Sequence, residues 1–184
     1  LGRSLGADGP MTKPGCAARW TYEATAVDEF EELFDLGFSD GLPVIPPTPE
    51  RIEVMLDGRD PAQSLGRVPP GGGEATLERV ASCAVLAGCK PSYFPTVLAA
   101  CEAMLDERFN LNGLAVTTSP PGQTLIVNGP VRSAIGLNSG MGALGPGWRA
   151  NMTIGRAVRL LVQLTGAGQP GRLDRSTLGH MGKL

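Results

Sequence analysis

The stretch from Val127 to Arg156, VNGPVRSAIGLNSGMGALGPGWRANMTIGR, carries glycines at 129, 136, 140, 142, 145, 147 and 155. Asn128, Asn138, Ser139, Asn151 and Thr153 stand among them. Each glycine loses extra backbone entropy on ordering, so a plain connection does not require so many. Glycine also lets backbone N–H groups approach a ligand, and nests of such groups hold anions. The apolar, Arg-bearing segment that follows reads as a helix, whose N-terminus attracts anions. The chemistry expected here is the binding of a carboxylate, phosphate or enolate oxygen. Asn128, Asn138, Ser139 and Asn151 would orient the substrate, with the backbone at Gly129 and Gly140 holding an oxyanion. The other reading of these glycines is a turn that lets two elements pack closely. Gly140-x-Gly142-x-x-Gly145 matches a dinucleotide fingerprint by letter only. The strand expected before it ends over ten residues earlier, Pro146 and Gly147 follow, and no acidic residue stands about twenty residues on. No Gly-Lys-Ser/Thr follows, so it is no P-loop.

Cys89 follows Gly88, with Lys90 beside it and a new helix expected shortly after. Both features lower a thiol pKa, and the thiolate is the reactive form. Cys89 is therefore a candidate nucleophile or redox thiol. Against this stands the small buried Cys that packs as a hydrophobe, which suits Cys83 and Cys101 better. No C-x-x-C occurs, so neither a thioredoxin-type motif nor a cysteine zinc site is indicated.

The single histidine, His180, is a candidate general base reaching back to a pocket, or else a polar tail residue. One histidine cannot build a His-rich metal site. Glu74 follows three glycines and is expected to open a helix, where the macrodipole favours a carboxylate. Asp40 precedes Gly41 in a turn. Each has a bland reading, as first-turn Glu and turn former. Together they can act as acid and base or bind a cation. Arg149 and Arg156 share a helix face and can bind an anion or a partner's acidic groups; a solvated face is the alternative.

These residues need elements to hold them. Val27, Phe30, Leu33 and Phe34 recur at helical spacing over 25–36. Thr48 reads as an N-cap with Pro49 at the first helical position, opening a helix to Leu56. RVPPGGG, 67–73, reads as a loop. Glu74–Ala87 predicts a helix with Gly88 as its C-cap, and 93–105 another. Leu114–Thr118 and Thr124–Val127 are short and β-branched, predicting two strands. Asn151–Leu164 predicts a last helix, with Ile154, Val158, Leu161 and Val162 inward. The order fits an α/β or α+β domain, with several helices around a small sheet and a long glycine-rich ligand loop. Residues 1–24 are expected as a flexible N-terminal segment, 25–165 as one globular domain and 166–184 as an extended C-terminal tail docking on a partner.

The 184 residues carry 26 Gly, 16 Pro, four Cys and a formal net charge of −2. Near-balanced charge argues against a broad nucleic-acid footprint. No run of about 18 apolar residues predicts a membrane span. Residues 1–20 lack a signal-peptide core, so cytoplasm is the default and the cysteines are expected as thiols.

Several segments act together as a signature. SDGLPVIPPTPERIEVML, GEATLERVASCAVLAGCKPSYFPTVLAACEAM, LIVNGP and ANMTIGRAVRLL resemble a poorly characterised bacterial family. That family is the companion, or fused C-terminal portion, of proteins with a UGSC (selenocysteine or cysteine) motif. The resemblance runs from about Phe38 to Lys183. It includes Asp40, Gly41, Pro43, Glu74, Cys89, Asn128, Gly129, Pro130, Asn151, Gly155 and Arg156. It implies thiol redox or C–S chemistry, but the UGSC element is absent here, so a redox centre would come from a second subunit. The expected function is thus a subunit of an intracellular heteromeric small-molecule enzyme. Cys89 would be the thiol, Glu74 or His180 would handle protons, and Asn128, Gly129, Asn138, Ser139, Gly140, Asn151 and Arg156 would bind substrate. A non-catalytic subunit completing a partner's site is the first alternative. A metal-dependent lyase or hydratase using Asp40, Glu74 and His180 is the second. No particular cofactor is indicated.

Overall fold

The computed structural model describes residues 29–180; the expected flexible segment 1–24 lies outside them. The described residues form seven α-helices and one two-stranded antiparallel sheet. This is the expected mixed architecture of helices around a small sheet. In chain order the elements are α1 (Glu29–Asp35), α2 (Pro49–Leu56), β1 (Ser64–Val68), β2 (Gly73–Thr76), α3 (Leu77–Ala87), α4 (Phe94–Leu105), α5 (Leu111–Val116), α6 (Pro130–Ala134) and α7 (Arg149–Leu164). No described helix is long and apolar enough to cross a membrane.

The central packing is α3 against α7, with α2 and α4 flanking. Both central helices are built for this. Along α3 nearly every residue is buried, with Ala81, Ala84 and Ala87 allowing close approach. On α7, Ile154, Ala157, Val158, Leu160, Leu161 and Val162 face inward. Phe94, Val97 and Cys101 of α4 complete the interior. Local chemistry sets the ends. The Thr48 hydroxyl accepts from Arg51 N at α2, and the Thr76 hydroxyl accepts from Arg79 N at α3. Gly88 ends α3 in the left-handed conformation, φ 87°, its N–H returning to Ala84 and Val85.

Four expectations change here. Glu74 does not open a helix: it lies exposed on β2, opposite Arg67, and α3 starts three residues later behind the Thr76 cap. The run expected as a loop over 67–73 is accordingly a tight hairpin turn at 69–72, with its ends taken into β1 and β2. The hairpin exists because Gly71 and Gly73 press onto the end of α7: Gly71 N donates to Gly166 O at 2.8 Å, and a Cβ on Gly73 would collide with Thr165 O. Leu114–Val116 is helical, since Asn110, with φ 53°, caps α5 through its side chain on Gly113 N. Local capping overrides the β-branched run there. Residues 124–127 have no strand partner among the described residues, and Leu125 and Ile126 are exposed.

The described part of the tail is not detached from the domain. Arg159 of α7 bonds Gly168 O and the carboxylate of buried Asp174, at 2.9 and 3.1 Å. Ser176 and Thr177 donate to Ser119 O and Thr118 O. Residues 168–177 are thereby fastened to α7 and to the 117–122 segment.

Candidate functional site

Two layers meet at the first turns of α7. The lower layer joins it to the end of α3. Arg149 Nε donates to Gly88 O at 3.0 Å, and the Cys89 thiol donates to Thr153 O at 3.4 Å. Ile45 N donates to Leu86 O. The bonds to Gly88 O and Leu86 O satisfy carbonyls that the end of α3 leaves without partners, and Arg149 brings a cation to its negative end. Thr153 of α7 and Ile45 both stand 3.7 Å from where a Gly88 Cβ would be, so α3 ends in a small clasp.

Cys89 is buried inside that clasp. Burial pushes its thiol up to about 11, against the pull of the Thr153 hydrogen bond and the Arg149 charge. The sequence expectation of a lowered thiol pKa is reversed. Lys90 is exposed and does not enter the balance; desolvation of the thiolate prevails. Burial likewise pushes Cys83 and Cys101 up.

Arg156, about two turns along the same face of α7, is also engaged. Its Nε and Nη2 grip both oxygens of Asp40 at 2.8 and 2.6 Å, and Nη2 reaches Leu42 O at 3.1 Å. Burial pushes the Asp40 carboxyl up, but the hydrogen bonds and charge of Arg156, with backbone N–H groups, outweigh it and hold it below the usual aspartate range. Gln163 adds a bond to Ser39 O, and the Ser39 hydroxyl closes the turn on Leu42 O. The anion expected for Arg156 is therefore Asp40 of the same chain, and Asp40 is neither a free base nor a cation ligand.

The upper layer is the glycine segment. Pro130–Ala134 is helical, entered through Gly129 at φ 88°, so the irregular part spans 135–148. Asn151 organises it. Its Oδ1 accepts from Asn138 N, and its Nδ2 donates to Asn138 O and Ala143 O, all within 3.0 Å. Asn138 in turn accepts from Gly140 N and donates to Met141 O. Ser139 takes a hydrogen bond from Arg132. The N–H groups of Gly136, Leu137, Ala143 and Gly145 are also spent on nearby carbonyls. Asn138, Ser139, Gly140 and Asn151 thus come together as expected, but to hold the loop's own backbone. The expected oxyanion nest is not what their donors form. Asn128 is exposed at the other end of the segment, before α6.

Glu74, Cys89 and His180 are not gathered. Glu74 precedes α3 and Cys89 follows it; at 1.5 Å rise per residue, the helix between them separates the two by roughly 18 Å. His180 is seated on Gly122, where a Cβ would strike its ring. Among the described residues no three His, Cys, Asp or Glu side chains are grouped to hold a metal ion, so the Asp40–Glu74–His180 set has no geometric basis.

Sequence reasoning missed the outer face of this layer. Met141 is 97% and Leu144 99% exposed. Trp148 and Met152 follow at the start of α7, with Leu42 and Ile45 exposed on the segment bonded to α7 and α3. The available signal was the placement of Met141 and Leu144 between glycines, outside any helical or strand period. Comparison of the chain with protein-family models, with curated proteins and with solved structures finds no match.

Proposed function

We propose that this chain is a non-catalytic subunit that completes a partner's active site in a heteromeric small-molecule enzyme, with the 135–148 loop as the face the partner covers. The observation that carries this reading is the loop's inverted distribution. Its Asn side chains and much of its backbone are satisfied inward, while Met141 and Leu144 are held in solvent. Large exposed apolar patches mark interaction sites, and Met141 and Leu144 stand three residues apart on this one loop. Methionine also adapts well to a partner's contours. The buried, high-pKa Cys89 supports the division of labour, because a thiol in that state is a poor nucleophile. On the resemblance given above, the reactive thiol or selenol belongs to a polypeptide with a UGSC motif.

The test is co-expression with that polypeptide and measurement of mass by light scattering after gel filtration. The expected result is a heteromer with the native chain that is lost with Leu144→Asp, while circular dichroism and Tm stay unchanged. A chain that stays monomeric beside the partner overturns the reading. So does a heteromer indifferent to Leu144→Asp and Met141→Asp together.

A further inference from the structure

The connection between α5 and α6 holds a strand-like run without a sheet. Residues 120–128 contain no helix, turn or bend, so the chain runs straight there. The tail covers the stretch just before. The Thr177 N–H and hydroxyl donate to Thr118 O, the Ser176 hydroxyl donates to Ser119 O, and the His180 ring sits on Gly122. Among the described residues, 123–128 take part in no backbone–backbone hydrogen bond. Yet Thr124-Leu125-Ile126-Val127 is β-branched and apolar, a sequence that suits a strand. Ile126 is 78% exposed, and Leu178, between the Thr177 and His180 anchors, is 94% exposed. A straight apolar run whose N–H and C=O groups are unpaired is a template for another strand.

Charge decides which strand. No charged side chain lies between Arg108 and Arg132. Exposed edges are ordinarily kept from pairing with their own kind by lysines or other charges, and this run has none. Two copies laid side by side therefore set no like charges against each other. A two-fold contact also requires a sequence that complements itself. In an antiparallel pair centred on Ile126, Ile126 meets its own copy, Leu125 faces Val127 and Thr124 faces Asn128. Apolar residues then oppose apolar ones, and polar oppose polar. Prolines 120, 121 and 130 bracket the run, and Gly129 at φ 88° turns the chain out of it, which keeps the ladder short. We propose that this chain forms a two-fold homodimer in which residues 123–128 of two copies pair as antiparallel strands. The strand favoured by the residues at 124–127 is then completed by a second copy.

The test is sedimentation equilibrium of the full-length chain alone, across about a hundred-fold range of concentration. It does not depend on the heteromer. The expected mass moves from one chain to two as concentration rises. Ile126→Lys is expected to weaken the dimer at least about ten-fold, since it opposes like charges and removes apolar burial. Circular dichroism and Tm of the variant should match the native chain, because the position is exposed. Ile126→Glu is expected to act in the same way. An equimolar mixture of the two variants should dimerise again, because the two-fold register sets Lys against Glu. A single-chain mass at every concentration overturns the proposal. So does a dimer indifferent to Ile126→Lys, a dimer lost with Leu144→Asp instead, or failure of the mixed variants to recover it.

Discussion

The Asp40–Arg156 pair joins the 39–42 turn to α7, and replacing Asp40 by Asn measures what it is worth. Two short hydrogen bonds to one carboxylate, at 2.8 and 2.6 Å, are made by side chains only 9% and 14% exposed. An exposed ion pair contributes about 0–1 kcal/mol, whereas breaking a buried one costs roughly 3–5 kcal/mol because the remaining charge is left uncompensated. This pair sits near the buried end, but solvent reaches its rim and Arg156 keeps Leu42 O, so Asp40→Asn is expected to cost about 2–3 kcal/mol. In a chain of this size that lowers Tm by roughly 4–12 °C. The assay is thermal and urea unfolding by circular dichroism from pH 7 down to pH 2. The sign with pH is fixed. Asp40 is held below its usual range in the folded state, so its contribution is complete above the unfolded value of about 3.9 and is lost as pH falls through the lower folded value. The gap between native and variant chains is thus constant from pH 7 to about pH 5 and closes in stronger acid. A double-mutant cycle with Arg156→Gln should give a coupling of at least about 1 kcal/mol. A gap under about 0.5 kcal/mol at pH 7, or one that widens in acid, would refute the reasoning and return Arg156 to the list of groups able to bind an external anion.

Cys89, with its thiol pushed up to about 11, should react with iodoacetamide at pH 7.5 about a hundred-fold more slowly than an unperturbed cysteine, and readily once unfolded. Mass spectrometry of the labelled peptide checks this, and fast native labelling would contradict the clasp. Asn151→Ala removes three hydrogen bonds to the loop and should cost about 2–3 kcal/mol, with hydrogen exchange accelerated in residues 137–145 and little changed in α4. Unchanged protection there would mean that the loop holds itself without Asn151. Gly166→Ala places a Cβ 2.5 Å from Pro69 O and 2.7 Å from Val162 O. It should lower stability by about 1–3 kcal/mol or more. Gly142→Ala, at φ +73° with nothing within 4 Å, should cost only the roughly 1–2 kcal/mol of left-handed strain. A smaller loss of Tm for Gly166→Ala than for Gly142→Ala would contradict the close seating of the hairpin on the end of α7.

What was legible in the sequence was local. Thr48-Pro49 announced α2 and Gly88 the end of α3, because caps and left-handed ends are fixed by one or two residues. The apolar period of Ile154, Val158 and Leu161 placed the inner face of α7 for the same reason. What failed depended on residues far apart in the chain. Glycines 71 and 73 read as a loop, yet their purpose is to let a hairpin touch Gly166 and Thr165, some ninety residues on. Arg156 and Asp40, 116 residues apart, were each singled out, but no spacing rule pairs them. A cation and an anion noticed separately were read as two binding groups; in the fold they neutralise each other. The same holds for Cys89. Its neighbours in sequence argued for a reactive thiol; its burial against α7 desolvates it and determines the opposite, against the pull of Thr153 and Arg149.

The glycine segment combines both lessons. Flexible residues suggested that the backbone bends around something, and it does: it bends around the Asn151 side chain. Freed from any helical or strand period, the backbone folds its polar groups inward against that amide. The side chains left pointing outward are then those with nothing to bond, Met141 and Leu144. Exposed apolar residues scattered singly are ordinary on a protein surface. Two of them at near-complete exposure, on a loop pinned by three hydrogen bonds from one residue, are a different matter. Ordering those glycines costs backbone entropy, and one result of that ordering is the fixed position of the apolar edge. A partner docking on a preset edge would have less ordering left to do on binding, which is the energetic basis of the association we propose for this loop.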